Sequence, residues 1–187
     1  MPQISRQKFE RLPLRVHAFL ADVPLHDVWA VDLRRTRRGI TLAEFLGRAG
    51  DLFRRPSPEV RALLSVRFFV GGLFGWDRAT SGSVSESFAQ RLTDEDRARS
   101  LAPVGTPDGL FRIVYRFENE QLDEIINRTV HAGALSALVE AAAGYRFYFA
   151  VYVRIDPFRK VVVYPALLRS ICAQWNRAFG SDKPMFV

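Results

Sequence analysis

The sequence predicts one α+β domain, a cupped antiparallel sheet closed by a long C-terminal helix around an apolar space, with two shorter helices near the N-terminal half. Three observations predict it. Residues 111–118 and 145–154 alternate side chains with the two-residue period of strands. Residues 158–179 carry Phe158, Val161, Val162, Leu168, Ile171 and Trp175 along one side at helical spacing. Two further helix starts, near residues 41 and 57, carry N-terminal capping signals.

The elements follow in chain order. Residues 27–34 set Trp29, Val31 and Leu33 against Val28, Ala30 and Asp32, a strand with one buried face. Thr41 with Glu44 three residues later is a capping box, and Leu42, Phe45, Leu46, Ala49 and Leu52 form an apolar helical stripe that should stop before Pro56. Ser57 and Pro58 open a second helix whose apolar stripe includes Arg67. Residues 77–109 are polar and rich in Ser, Pro and Gly, which predicts a long surface loop or lid, with a short capped helix at 93–100.

Phe111, Ile113, Tyr115 and Phe117 then share one strand face, and the polar turn at 119–121 suggests a hairpin. Residues 129–143 are rich in Ala and Leu, which favours helix, but they sit between strand signals, and we assign them as strand. In 145–154, Tyr145, Phe147, Phe149, Val151 and Val153 should face inward, with Arg146, Tyr148, Tyr152 and Arg154 outward. Asp156 and Pro157 start the last helix, which Pro165 should kink.

At 187 residues, with 48% hydrophobic and 25% charged side chains, the chain fits a single globular domain spanning residues 1–187. A chain of this length buries roughly two thirds of its unfolded surface and needs no disulfide or structural metal to fold. The single cysteine, Cys172, excludes an internal disulfide, and the polar first ten residues do not resemble a signal peptide, so a cytoplasmic protein is expected. No run approaches the roughly 18 apolar residues of a membrane span. The net charge of +7 is spread along the chain apart from Arg34, Arg35, Arg37 and Arg38, which read as a solvated loop, so no nucleic-acid partner is expected.

Residues 60–76 (VRALLSVRFFVGGLFGW), the strand-rich segment after them and the run Asp156, Pro157, Phe158, Arg159 resemble the bacterial family called domain of unknown function 2867 (DUF2867). That family is associated with the START-like, or helix-grip (SRPBCC), superfamily. The resemblance covers residues 12–179. Leu64, Arg67 and Gly75 match its Leu-x-x-Arg-like segment and Gly-rich turn, and Pro157, Phe158 and Arg159 stand where the family has Pro-Phe-His. Glu124 and His131 correspond to its Glu and His in the middle strands, without the aspartates usual beside that His. The resemblance implies an antiparallel sheet wrapped around the C-terminal helix, with the first two helices closing one end. It implies no activity, since proteins sharing that fold range from lipid carriers to polyketide cyclases.

No dinucleotide fingerprint, phosphate loop, nucleophile elbow or zinc-protease motif is present, and His17, His26, His131 and Cys172 have no zinc spacing, so neither cofactor nor metal is expected. The candidate catalytic groups are Arg67, Tyr115 and His131. A guanidinium on an apolar stripe needs an anionic partner, a phenol can orient a carbonyl, and an imidazole can act as a base. Each also has a structural reading, Arg67 as an ion pair with Glu118, Glu120 or Glu124, and His131 and Tyr115 as core residues. The candidate ligand-binding set is Arg67, Tyr115, Phe117, His131, Tyr145, Phe147, Phe149 and Trp175. The first functional expectation is a small hydrophobic ligand held between sheet and C-terminal helix. The alternatives are a polyketide cyclase or dehydratase-like enzyme on the same fold, and a protein-binding domain using the Arg146, Tyr148, Tyr152, Arg154 face with the arginine loop.

Overall fold

A computed structural model of the chain describes residues 3–34, 38–54, 58, 86–126, 130–141 and 144–155. Two single-turn helices, α1 (Arg6–Glu10) and α2 (Arg15–Phe19), precede β1 (Leu25–Arg34) and α3 (Leu42–Arg54). A 3₁₀ turn (Phe88–Arg91) and α4 (Asp94–Arg99) lead to β2 (Pro107–Asp108), β3 (Phe111–Arg116), β4 (Glu120–Ile126), β5 (Val130–Ala141) and β6 (Gly144–Ile155). The strands form one antiparallel sheet in the order β1-β6-β5-β4-β3-β2. Strands β2 to β6 are thus a meander, and β1 closes on the last strand.

Both faces of this sheet are apolar. On the first, Val28, Ala30, Leu122, Leu135, Tyr148 and Tyr152 pack against Phe9, Val16, Phe19 and Leu20 of the N-terminal segment and against Phe88. On the second, Trp29, Val31, Leu33, Phe147 and Val151 meet Ile40, Leu42 and Phe45 around the start of α3. That helix begins with the capping box read from the sequence: the Glu44 N–H donates to Thr41 Oγ1 at 3.2 Å, and the Thr41 N–H donates to Glu44 Oε2 at 3.0 Å. The Leu42 N–H bonds the Glu118 carbonyl, which seats the helix over the β3–β4 turn.

This architecture corrects the expected antiparallel sheet wrapped around a long C-terminal helix, the START-like helix-grip arrangement. The described residues are mostly a six-stranded antiparallel sheet with a few short helices, and the core on its first face is built from the N-terminal segment and residues 86–92. The physical reason lies in β6. Its Tyr148, Ala150 and Tyr152, expected to face outward, are buried, with Tyr148 7% and Tyr152 4% exposed, so the strand needs cover on both sides. A one-sided sheet closed by a single helix leaves that second set in water. The surface proposed for a protein partner loses its tyrosines in the same way; Arg146 instead pairs with Asp32, and Arg154 joins Arg91 on Asp22. The helices expected over 59–75 and 156–179, with Arg67 and Trp175, lie outside the described residues.

Of the segment 77–109, residues 86–109 are described: Phe88 is fully buried, α4 carries a capping box between Thr93 and Asp96, and the N–H groups of Leu101 and Gly105 bond the carbonyls of Arg116 and Ile113 at 2.7 Å. One local expectation also changes. In β3 the pairing with β4 shifts between Ile113 and Tyr115, so Ile113 faces Asp123 while Tyr115 faces Leu122 on the opposite side. Simple alternation would have kept those two side chains together. Residues 130–141 form the strand that their neighbours demanded, against the helical preference of their composition. No helix among the described residues is long and apolar enough to cross a membrane.

Candidate functional site

The buried carboxylates and the Tyr115 phenol of the first face are hydrogen-bonded within its core. The Tyr115 hydroxyl donates to Glu120 Oε1 at 2.7 Å, and the Arg15 N–H donates to Glu120 Oε2 at 2.9 Å, which ties the start of α2 to the β3–β4 hairpin. Burial raises the Glu120 carboxyl, partly offset by these bonds, and holds the Tyr115 phenol well above its usual range. The Tyr115 ring packs edge-on to Phe19 and stacks on Phe117 at 4.5 Å.

Glu124 makes a second anchor. The Phe88 N–H donates to its Oε2 at 2.8 Å, the Ser87 hydroxyl donates to Oε1, and His131 Nε2 lies 3.1 Å from Oε2. Burial alone would raise this carboxyl, but the bonds from His131, Ser87 and Phe88 outweigh it and hold Glu124 below the usual range. The His131 ring stacks on Phe88 at 3.8 Å. Both carboxylates therefore fasten cover segments to the sheet. Their oxygens are occupied by protein donors, and Tyr115 and His131 are held in packed surroundings.

The second face is differently composed. Direct cross-strand pairing sets Trp29, Phe149, Ser136, Gln121 and Arg116 in one row from β1 to β3, and Val151, Ala134, Asp123 and Ile113 in the next. Paired residues share a face, so the sheet passes from an aromatic column in β6, through the small column Ala132, Ala134, Ser136 in β5, to a polar column in β4. Phe149, Ala134 and Val153 are only half-buried although they lie on interior strands. Tyr145 and Phe147 lie on this face too, the first with its hydroxyl accepting the Gly39 N–H at 2.9 Å, the second beneath Phe45 at 4.7 Å.

At the polar column, Gln121 Nε2 lies 2.9 Å from each Asp123 oxygen and 3.0 Å from Asp108 Oδ2, while Gln121 Oε1 accepts from Arg116 Nε. Burial pushes the Asp123 carboxyl up to about 7, opposed by the Gln121 bond and reinforced by the charge of Asp108. Asp123 is 8% exposed and Ser136 7%. Among the described residues the Ser136 hydroxyl has no hydrogen-bond partner. An acid that titrates near neutral pH, a hydroxyl without a hydrogen bond and an apolar shelf thus adjoin one another. Together they can hold a molecule with an apolar body and one polar end.

The sheet divides the residues singled out from the sequence. Tyr115, Phe117 and His131 are on the first face or in its core, Tyr145, Phe147 and Phe149 are on the second, and Arg67 and Trp175 lie outside the described residues. Asp123, Gln121, Asp108 and Ser136 were missed. Residues 120–126 (EQLDEII) place acids on both alternating faces, so periodicity does not say which acid meets the small column. The available signal was the hairpin turn itself, which requires a return strand after residue 119. Among the described residues no group of three His, Cys, Asp or Glu side chains converges as metal ligands do.

No curated protein and no solved structure matches the chain. A family model described as "Protein of unknown function (DUF2867)" matches residues 19–166, most of the sequence and all of the sheet. The chain belongs to the DUF2867 family.

Proposed function

We propose that this protein binds a small, mainly apolar molecule against the second face of its sheet. One observation carries the reading: the half-buried Phe149, Ala134 and Val153 form an apolar shelf on interior strands, directly beside the buried polar groups of β4. Small-molecule sites combine this kind of apolar lining with a few polar groups. The first face has no such combination, since its carboxylates already accept from protein donors and its one unpaired buried polar atom among the described residues, His17 Nε2, lies against Phe9.

The test is titration of the purified protein with N-phenyl-1-naphthylamine, a neutral apolar fluorophore, followed by displacement with decanol. Saturable, displaceable binding is expected. Ala134→Leu and Ala134→Phe should weaken it in order of size, the larger by about tenfold, with folding checked by circular dichroism. Absence of saturable binding to the unaltered protein, or undiminished binding by both folded variants, would overturn the reading.

A further inference from the structure

The polar column is unevenly satisfied. Gln121 Nε2 carries two hydrogens, yet three carboxylate oxygens lie within 3.0 Å of it, two from Asp123 and one from Asp108. Acceptor capacity on the carboxylates therefore exceeds the donors that reach them from Gln121. Across the strand, Ser136 is paired directly with Gln121; the residue is 7% exposed, and its hydroxyl, which keeps some accessible surface, makes no hydrogen bond among the described residues. A bound group that donates hydrogen bonds would use this spare acceptor capacity.

We propose that Asp123, bridged by Gln121 to Asp108 and flanked by Ser136, seats the polar end of the ligand and selects a cationic amine head over a neutral or anionic one. This specificity rests on the second-face reading. An ammonium group brings three donors and a positive charge to two carboxylates and a hydroxyl. A carboxylate head would meet Asp123 and Asp108 as like charges and would supply no donor. The charged groups facing Asp123 among the described residues are Asp108 from β2 and Arg116 from β3. Arg116 keeps its positive charge and lowers the Asp123 carboxyl, but with Asp123 ionised it stands against two carboxylates, Asp123 and Asp108, so the local balance remains negative. The apolar body would then lie over Ala134 and Phe149, one and two strands away.

Three probes with one chain and different heads test this: decylamine, decanol and decanoate, each displacing N-phenyl-1-naphthylamine. At about pH 8, where Asp123 is mostly ionised, decylamine should displace at about tenfold lower concentration than decanol, with decanoate weakest. At about pH 5.5 the advantage of the amine over decanol should shrink, because protonation removes the Asp123 charge. Asp123→Asn should collapse the amine-to-decanol ratio at pH 8 toward one. Failure of all three probes to displace, or to bind at all, overturns the second-face reading and this inference with it. Displacement by all three without a head preference, or an amine preference that survives in Asp123→Asn or is unchanged by pH in the unaltered protein, overturns the inference alone and leaves apolar binding standing.

Discussion

Replacing Asp123 by Asn should stabilise the protein progressively as pH rises. Burial carries this carboxyl from the ordinary aspartate value of 3.8 to about 7 in the folded state. Between those values the folded chain keeps a proton that the unfolded chain has released, so each step up in pH favours unfolding. The loss begins above pH 3.8 and is complete above about 7. At about 1.4 kcal/mol per pH unit, a rise of about three units sets an upper bound of roughly 4 kcal/mol. Asn has nearly the same shape, keeps an oxygen for the Gln121 amide and does not titrate. Urea unfolding of both proteins at about pH 4.5, 6 and 8 isolates the effect, because all other titrations cancel in the difference. The stability of Asp123→Asn minus that of the parent should climb by several kcal/mol across the series. A difference that stays flat, or falls with pH, would refute the assignment of a buried, proton-retaining acid at this position.

Glu124→Gln should cost about 2–3 kcal/mol, because a charge-assisted anchor of residues 87–88 to the sheet is lost. Since the folded Glu124 carboxyl is held below 4.5, its contribution is present above that pH and lost as pH falls; urea melts of the variant should lack that acid-side loss. His17 is held below its ordinary 6.5 by burial, and its Nε2 has no partner, so protonation favours unfolding as pH drops below 6.5. His17→Phe, which preserves the edge-on contact with Phe9, should flatten the thermal-stability profile between about pH 6.5 and 5. At Gly133 a Cβ would come within 3.3 Å of Leu122 and 3.4 Å of Leu20 and Phe88, so Gly133→Val should destabilise by about 1–3 kcal/mol in urea, and an unchanged midpoint would show that this core yields.

The parts legible in the sequence are those where local chemistry and tertiary role agree. Residues 27–34 alternate cleanly and form β1, and the Thr41–Glu44 box starts α3 as read. The two first helices were not read because they are single turns with no side-chain cap and no acid in the first turn. Tyr148 and Tyr152 were assigned outward because they alternate with an inward aromatic set and lie between arginines. Their rings are buried because the N-terminal segment covers that face, a contact between residues more than a hundred positions apart. Asp123 was illegible for a related reason. Whether an acid in residues 120–126 lies against alanines or against solvent depends on strand register, which alternation of polar residues does not fix.

The most direct measurement is a crystal structure of the protein with decylamine bound. The alkyl chain should lie along Ala134 and Phe149 on the second face, with its nitrogen at hydrogen-bonding distance from an Asp123 oxygen. Decylamine seated on the first face, or a second face closed by protein side chains in crystals saturated with the amine, would contradict the proposed binding surface.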